Sequence, residues 1–382
     1  MGEVGDPRIR LSEPTVGEEE VEALSRAVRD GHLVFGPDLP AFEAAMAQAV
    51  GATGALAVTT GTAALHLGLL VAGVEPGDEL WVSDLTFIAS LNAATYCGTR
   101  VTLVDSEPHS WNLDPNLVIE ELDRRAKAGE AMPKAIVPVH LLGHPANLEP
   151  MLAALHEYDV AIVEDAAEAL GSHWVSGALD GKVPGTVGDV GIYSFNFNKP
   201  ISTGGGGMLV ARNEETLARA RHLGSQAKIP NTDYRHDAVG YNYRLSNLAA
   251  ALGVIQMQRL PHLIERRRAI AARYNEALSD LGLTGGPDEP WARRSGWLST
   301  VRFHDDGTRH AVRKALAAQG IETRPIWPPM RIQAPYAQLP VLGGDVAVGI
   351  GDTVMCLPCS AHLTDAQQDE VIAIVRTVVE RG

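Results

Sequence analysis

Lys199 stands in the run SFNFNKPISTGGGGMLV, residues 194–210, among asparagines, a proline and four consecutive glycines. The chain holds six lysines against 26 arginines, and the other five lie in polar or turn-like surroundings that suit solvent. Lys199 instead follows the apolar-rich run GIYSFNFN, which reads as a strand heading inward. Two readings fit. One is a lysine snorkelling from a strand end; the other is an amine kept for covalent chemistry, since lysine shifts its pKa readily when desolvated. Asp165 closes a second apolar run, VAIVED, where a carboxylate is costly unless paired. An arginine or a helix N-terminus would serve it structurally; a cationic heterocycle would serve it functionally. In TTGTAALHL, residues 59–67, Gly61 and Thr62 place N–H groups and a hydroxyl at a helix start. That arrangement suits an anion, and Thr62 also reads as a plain N-cap. Phe87 offers an aromatic face just after the run ELWVSD.

These groups meet only if the elements around them converge. From about residue 50 to 210, short runs rich in Val, Ile and Leu (ALAV, ELWVS, RVTLV, KAIVPV, VAIVED) alternate with helical stretches. Such runs suit a sheet covered on both faces, and the alternation implies right-handed crossovers and mainly parallel strands. GIYSFNFN and GMLVAR are close enough to pair as a hairpin. Ligands of such sheets bind outside the carboxyl ends of the strands. That rule gathers the TTGT turn, the loop at 83–87, His140 after KAIVPV, EDAAE at 164–168 and SFNFNK. From about 245 the chain turns strongly helical, through and past Pro261, and continues into a mixed α+β region. The expected organisation is a large α/β domain over 1–250 with an N-terminal arm. A smaller α+β domain over 251–382 includes the long linking helix.

A formal net charge of −15 argues against nucleic acid as a partner. The one basic stretch, ERRRAIAARY at 265–274, has helical spacing and reads as a solvated helix face. No run of about 18 apolar residues appears, so no membrane span is expected. The N-terminal MGEVGDPRIRL has no apolar core of a signal, and the three cysteines are few and odd in number. Both point to a reducing cytoplasm. Cys356 and Cys359 form a lone CxxC that core packing explains, and no His/Asp spacing beside Glu164 and Glu168 marks a metal site.

Taken together, an anion cradle, a strand-end carboxylate, an aromatic face and a strand-end lysine are what pyridoxal 5′-phosphate requires. The runs TTGTAALHL, TFIASLNAATYCG, WNLDP, HLLGHP, VEDAAEALGS, GDVGIYSFNFNK, TGGGGML, VGYNYRLSNLAAALG and ETRPIWPPM occur in this order between residues 59 and 330. Together they resemble the DegT/DnrJ/EryC1/StrS sugar-nucleotide aminotransferases, enzymes of the fold-type-I pyridoxal phosphate class. Within that family they look most like C4-aminotransferases of the bacillosamine type, which act on UDP-4-keto-6-deoxy-N-acetylglucosamine. The alternatives are C4- or C3-amination of a dTDP- or GDP-linked keto sugar and, in a different class, a non-catalytic binding protein of the same fold.

The resemblance implies roles for individual residues. Lys199 would hold the cofactor covalently, and Asp165 would keep its ring nitrogen protonated. Phe87 would stack on the ring, Glu168 would lie near its hydroxyl, and Gly61, Thr62 and Ser194 would bind its phosphate. Asn242 would reach the cofactor of a second subunit, which implies a homodimer with shared active sites. His140 and Asn196 are further candidates near the cofactor. Lys182, Arg324, Trp327 and Arg331 are candidates for the nucleotide sugar. L-Glutamate is the implied amino donor, with pyridoxamine 5′-phosphate as the intermediate form. Two positions depart from the pattern. Arg331 stands where a histidine is usual, and would suit a diphosphate as well as a salt bridge; Phe197 stands where a small residue or proline is common.

Overall fold

The computed structural model describes residues 6–381; the MGEVG start of the expected arm lies outside the described residues. Among the described residues an eight-stranded sheet forms the larger body. Its order is Ala55–Val58, Gly207–Ala211, Val190–Ser194, Ala161–Asp165, Ala135–Val137, Glu79–Ser83, Arg100–Val104, Val341–Leu342. Only Gly207–Ala211 runs against its neighbours; every other pairing in the sheet is parallel. Val190–Ser194 and Gly207–Ala211 do pair antiparallel, Ser194 opposite Gly207.

Side chains alternate across this sheet, and both faces are covered, which is why its strands carry near-continuous apolar runs. On one face Leu56, Val58, Val82, Val163 and Ile192 pack beneath the helices Gly61–Val71 and Ala89–Tyr96. On the other, Trp81, Ile136 and Ile162 meet Val118, Leu122, Met151 and Leu155. Those four belong to the helices Pro115–Ala128 and Glu149–Glu157. A second, four-stranded antiparallel sheet has the order Arg324–Pro325, Val354–Leu357, Ser299–Arg302, Thr284–Gly285.

The two sheets are joined by one continuous helix, Asn247–Leu278, which passes through the exposed Pro261. Val341–Leu342 adds to the edge of the larger sheet although it lies far into the C-terminal part of the chain. The N-terminal segment packs the opposite way, with Ile9 bridged to Ile321 and the Leu11 carbonyl accepting from Cys359 N–H at 2.8 Å.

Two local expectations change. The basic stretch is not uniformly solvated: Arg267 is 1 % exposed and donates to the Trp297 carbonyl at 2.8 Å. Successive helical residues turn about 100° apart, so one of three adjacent arginines must face the core. KAIVPVHL is also strand only over Ala135–Val137, because the chain then turns through Leu142 at φ 55° and Gly143 at φ 78°. Both cysteines of the CxxC are free and buried, and no group of three metal-ligating side chains occurs among the described residues. No described helix is long and apolar enough to cross a membrane.

Candidate active site

A cleft of about 350 Å³ opens at the carboxyl ends of the large sheet's strands. Its floor carries Gly61, Thr62, Asp165, Glu168, Ser194, Asn196 and Lys199, and its mouth Phe87, Trp297, Arg324 and Trp327.

The helix Gly61–Val71 points its N-terminus into this cleft. Thr60, not Thr62, is the N-cap; its Oγ1 accepts from Ala63 N–H at 3.0 Å. The Thr62 hydroxyl and the N–H groups of Gly61 and Thr62 are therefore left without protein partners among the described residues. A Cβ at Gly61 would stand 3.1 Å from Ser194 Cβ, so the serine hydroxyl borders the same cradle. Such unpaired donors at a helix N-terminus are what a phosphate needs.

Gly207 backs onto this turn: a Cβ there would overlap the Thr60 carbonyl oxygen and stand 2.7 Å from the Gly61 nitrogen. The glycine run is thus a turn at Gly204, φ 79°, followed by a close backbone approach at Gly207. Gly207→Ala should push the cradle open and weaken cofactor retention by roughly tenfold or more, because a disturbance of about 1.4 kcal/mol already suffices for that. Equilibrium dialysis of pyridoxal phosphate measures the effect, and unaltered retention would contradict it.

Asp165 is 5 % exposed and is held by neutral donors only, Ser90 Oγ at 2.7 Å and Ala167 N–H at 3.1 Å. No arginine pairs with it among the described residues, so of the two structural explanations the ion pair does not apply, and what holds it is a serine in the first turn of the helix Ala89–Tyr96 and one backbone N–H. A buried anion with one side open to a cleft and no cation of its own fits a protonated heterocycle.

Lys199 is 9 % exposed and points inward, its Nζ 3.7 Å from Glu168 Oε1 and 3.6 Å from the centre of the Trp297 indole. Snorkelling is therefore ruled out by direction. Burial pulls the Lys199 ammonium below its usual pKa, against the opposing pull of Glu168 and Asp165. Glu168 also accepts from Leu142 N–H at 2.7 Å, which ties it to the left-handed turn at 142–143. Burial pushes its carboxyl up to about 7, with Lys199 opposing and the Asp165 charge adding.

The direction of this change can be checked. A carboxyl whose folded pKa lies above its ordinary 4.5 keeps a proton in the native chain that the unfolded chain has released. Cofactor-free protein should then lose stability as pH rises from about 4.5 to about 7. The loss should approach about 1.4 kcal/mol for each pH unit crossed. Glu168→Gln, which keeps the Leu142 contact, should flatten that slope. Thermal midpoints of both proteins across this range decide it, and parallel curves would contradict it.

Four predicted residues do not line the cleft. His140 is fully buried on the other side of its strand. Its Nδ1 accepts from Ala146 N–H at 2.9 Å and its Nε2 bonds Glu164 at 2.9 Å. Glu164 and Asp165 point to opposite faces of the sheet, so a histidine bound to the first cannot face the second's ligand. Arg331 is also drawn away. Its Nε lies 2.5 Å from Asp84 Oδ2, and its guanidinium lies 3.2 Å from Asp105. Two buried strand-end carboxylates hold it in a salt bridge, which removes it as a diphosphate ligand. Lys182 and Asn242 are exposed and outside this chain's own cleft.

Conversely, sequence reasoning passed over Ser90, Thr60 and Trp297. Ser90 lies within the quoted TFIAS run, and Thr60 within TTGT, one residue before the glycine. Trp297 ends the segment GGPDEPWARRSGW, where no spacing marks either indole for a ligand.

Comparison with known proteins follows this geometry. EpsN of Bacillus subtilis (strain 168), a provisionally assigned pyridoxal phosphate-dependent aminotransferase, is 36 % identical over 376 residues, 96 % of this chain and 95 % of that protein. GDP-perosamine synthase of Caulobacter vibrioides is 36 % identical over 378 residues, 98 % and 99 % of the two chains. The crystal structure of the aminotransferase TlmJ from Streptoalloteichus hindustanus superposes with a TM-score of 0.88 at 31 % identity, covering 98 % and 99 %. The profile of the DegT/DnrJ/EryC1/StrS aminotransferase family matches residues 14–376. With a lysine, a buried strand-end carboxylate without an arginine partner and a helix N-terminus of unpaired donors in one cleft, the chain belongs to the DegT/DnrJ/EryC1/StrS aminotransferase family, whose members work with pyridoxal phosphate.

Proposed function

We propose that the protein moves the amino group of L-glutamate to the C4 keto carbon of a nucleotide-linked 4-keto-6-deoxy sugar. The observation that carries this reading is the meeting of Lys199, Asp165 and the free N–H groups of Gly61 and Thr62 in one cleft. When bound, the cofactor supplies an electron sink and carries the amino group between the two substrates. Gly61, Thr62 and Ser194 would hold its phosphate, and Phe87 would lie against its ring. Asp165, oriented by Ser90 and Ala167, would keep a proton on the ring nitrogen. Lys199 would hold the cofactor at its aldehyde carbon and, as a free amine, would take the proton from the donor's Cα. The keto sugar then follows the same proton path in reverse, which predicts ping-pong kinetics.

Arg324 and Trp327 stand at the cleft mouth, where the sugar nucleotide would enter. A GDP-linked sugar is the first reading of the carrier, supported by the likeness to GDP-perosamine synthase over nearly the whole chain. The UDP-4-keto-6-deoxy-N-acetylglucosamine expectation is the second reading, supported by the motif likeness alone. Incubation with L-glutamate and a panel of GDP-, UDP- and dTDP-4-keto-6-deoxy sugars, with mass spectrometry of the products, separates them. No amination of any of the panel would overturn the proposal.

A homodimer with shared sites belongs to the same reading. Phe35, Tyr234 and Val239 are strongly exposed apolar side chains, and Asn242, outside its own cleft, is free to reach a partner's.

A further inference from the structure

Trp297 is held from several sides at the cleft. It is 1 % exposed, its Nε1 donates to the Asn198 carbonyl at 2.6 Å, and its own carbonyl accepts from the buried Arg267 at 2.8 Å. Its ring stacks on Trp327 with centres 5.8 Å apart and planes 19° from parallel. Its backbone N–H reaches Ser295 Oγ at 3.3 Å, and the same Oγ donates to the Glu168 carbonyl at 3.0 Å. A ring locked this way presents one face to the cleft, and on that face lies Lys199 Nζ, 3.6 Å from the ring centre. Glu168 is the only carboxylate within ion-pair distance of this amine among the described residues, and at 3.7 Å the contact is loose.

We infer that Trp297 positions the free amine of Lys199 by holding its ammonium form against the indole face. This rests on the aminotransferase reading above and goes one step beyond it. Once displaced, the amine that takes the donor's Cα proton must stay in the cleft and hold that proton as ammonium until it is passed on. Burial works against the charged form, while Glu168 and, at longer range, Asp165 favour it. An indole face adds a further preference for the cation without supplying an acceptor that would capture the proton, and it is strongest when desolvated. The Asn198 tie gives Trp297 a second hold on the same segment, through the main chain next to Lys199. The two holds can be separated, since phenylalanine keeps a ring face but loses the Nε1 donor.

The test uses holoenzyme converted by L-glutamate to its pyridoxamine phosphate form, in which the Lys199 amine is free. Competitive acetylation across pH, read by mass spectrometry of the peptide carrying Lys199, gives the midpoint of its deprotonation. Trp297→Leu should lower that midpoint by about one pH unit, the size of a desolvated cation–π contact. Trp297→Phe should lower it by less than half as much. Should Trp297→Leu fail to load cofactor, Trp297→Met fills the volume without a ring and takes its place. An unchanged midpoint without the ring overturns the inference. So does an equal shift in the phenylalanine variant, which would assign the effect to the Asn198 tie. Failure of the underlying reading is separately visible: wild-type protein would then not be yellow, and borohydride would leave no cofactor on Lys199.

Discussion

Replacing Lys199 by alanine yields a folded protein that still binds pyridoxal phosphate but turns over at least roughly a thousandfold more slowly. The two halves of this result have separate causes. In the proposed site Gly61, Thr62 and Ser194 would cradle the phosphate and Asp165 would meet the ring nitrogen; all four line the cleft, and none depends on the lysine side chain. Removing the amine would take away both the proposed covalent anchor and the group proposed to move the proton, and among the described residues no other amine or imidazole lines the cleft to replace it. Glu168 loses the one cation that lowers its pKa, and so becomes more fully protonated. That lets the site tolerate the loss without stranding a buried carboxylate. Absorbance of the dialysed variant reports retained cofactor, and borohydride should no longer link it to the chain. Turnover within tenfold of wild type would sink the assignment of Lys199.

Asp165→Asn should lower kcat by about 10²- to 10³-fold, the usual loss when a preorganised charge is removed from where charge develops. The exchange is nearly isosteric. An asparagine Oδ1 can still accept from Ala167 N–H, and its amide N–H can donate to Ser90 Oγ, so both contacts survive. What disappears is the negative charge proposed to keep the ring nitrogen protonated, and with it the strength of the electron sink. The expected signature is a kcat loss with cofactor still bound and with a far-UV spectrum like wild type. Ser90→Ala, which leaves the charge but frees its orientation, should lose much less. If the asparagine variant retained wild-type kcat, Asp165 would be a structural residue and the heterocycle reading would fail.

Much of the site was readable because its residues sit at strand ends. Short apolar runs with intervening helices imply a parallel sheet, and a parallel sheet exposes ligand positions at its carboxyl edge. Lys199, Asp165, Glu168, Gly61, Thr62, Ser194 and Phe87 were reached that way, and the structure brings all seven to one cleft. His140 followed the same rule and missed, because the rule gives the end of the strand but not the face. Only the register, with Val139 opposite Asp165, shows that His140 turns toward Glu164.

Arg331 illustrates the other limit. Its chemistry suits a diphosphate, but Asp84 and Asp105, more than two hundred residues away in the chain, hold it. Trp297 shows the reverse, a residue with no motif that becomes part of the site once the C-terminal region folds over Lys199.

By itself, then, the sequence determined the alternation that makes the sheet, the cradle at Gly61 and Thr62, and the lysine and carboxylate that call for pyridoxal phosphate. These depend on neighbours within a few residues, where periodicity and turn chemistry operate. The tertiary structure alone decided which face each strand-end residue takes, which carboxylates capture Arg331, and which ring meets the Lys199 amine. Those last two contacts join segments roughly a hundred to two hundred and fifty residues apart, and no local pattern encodes a pairing made only when the two sheets close on one another.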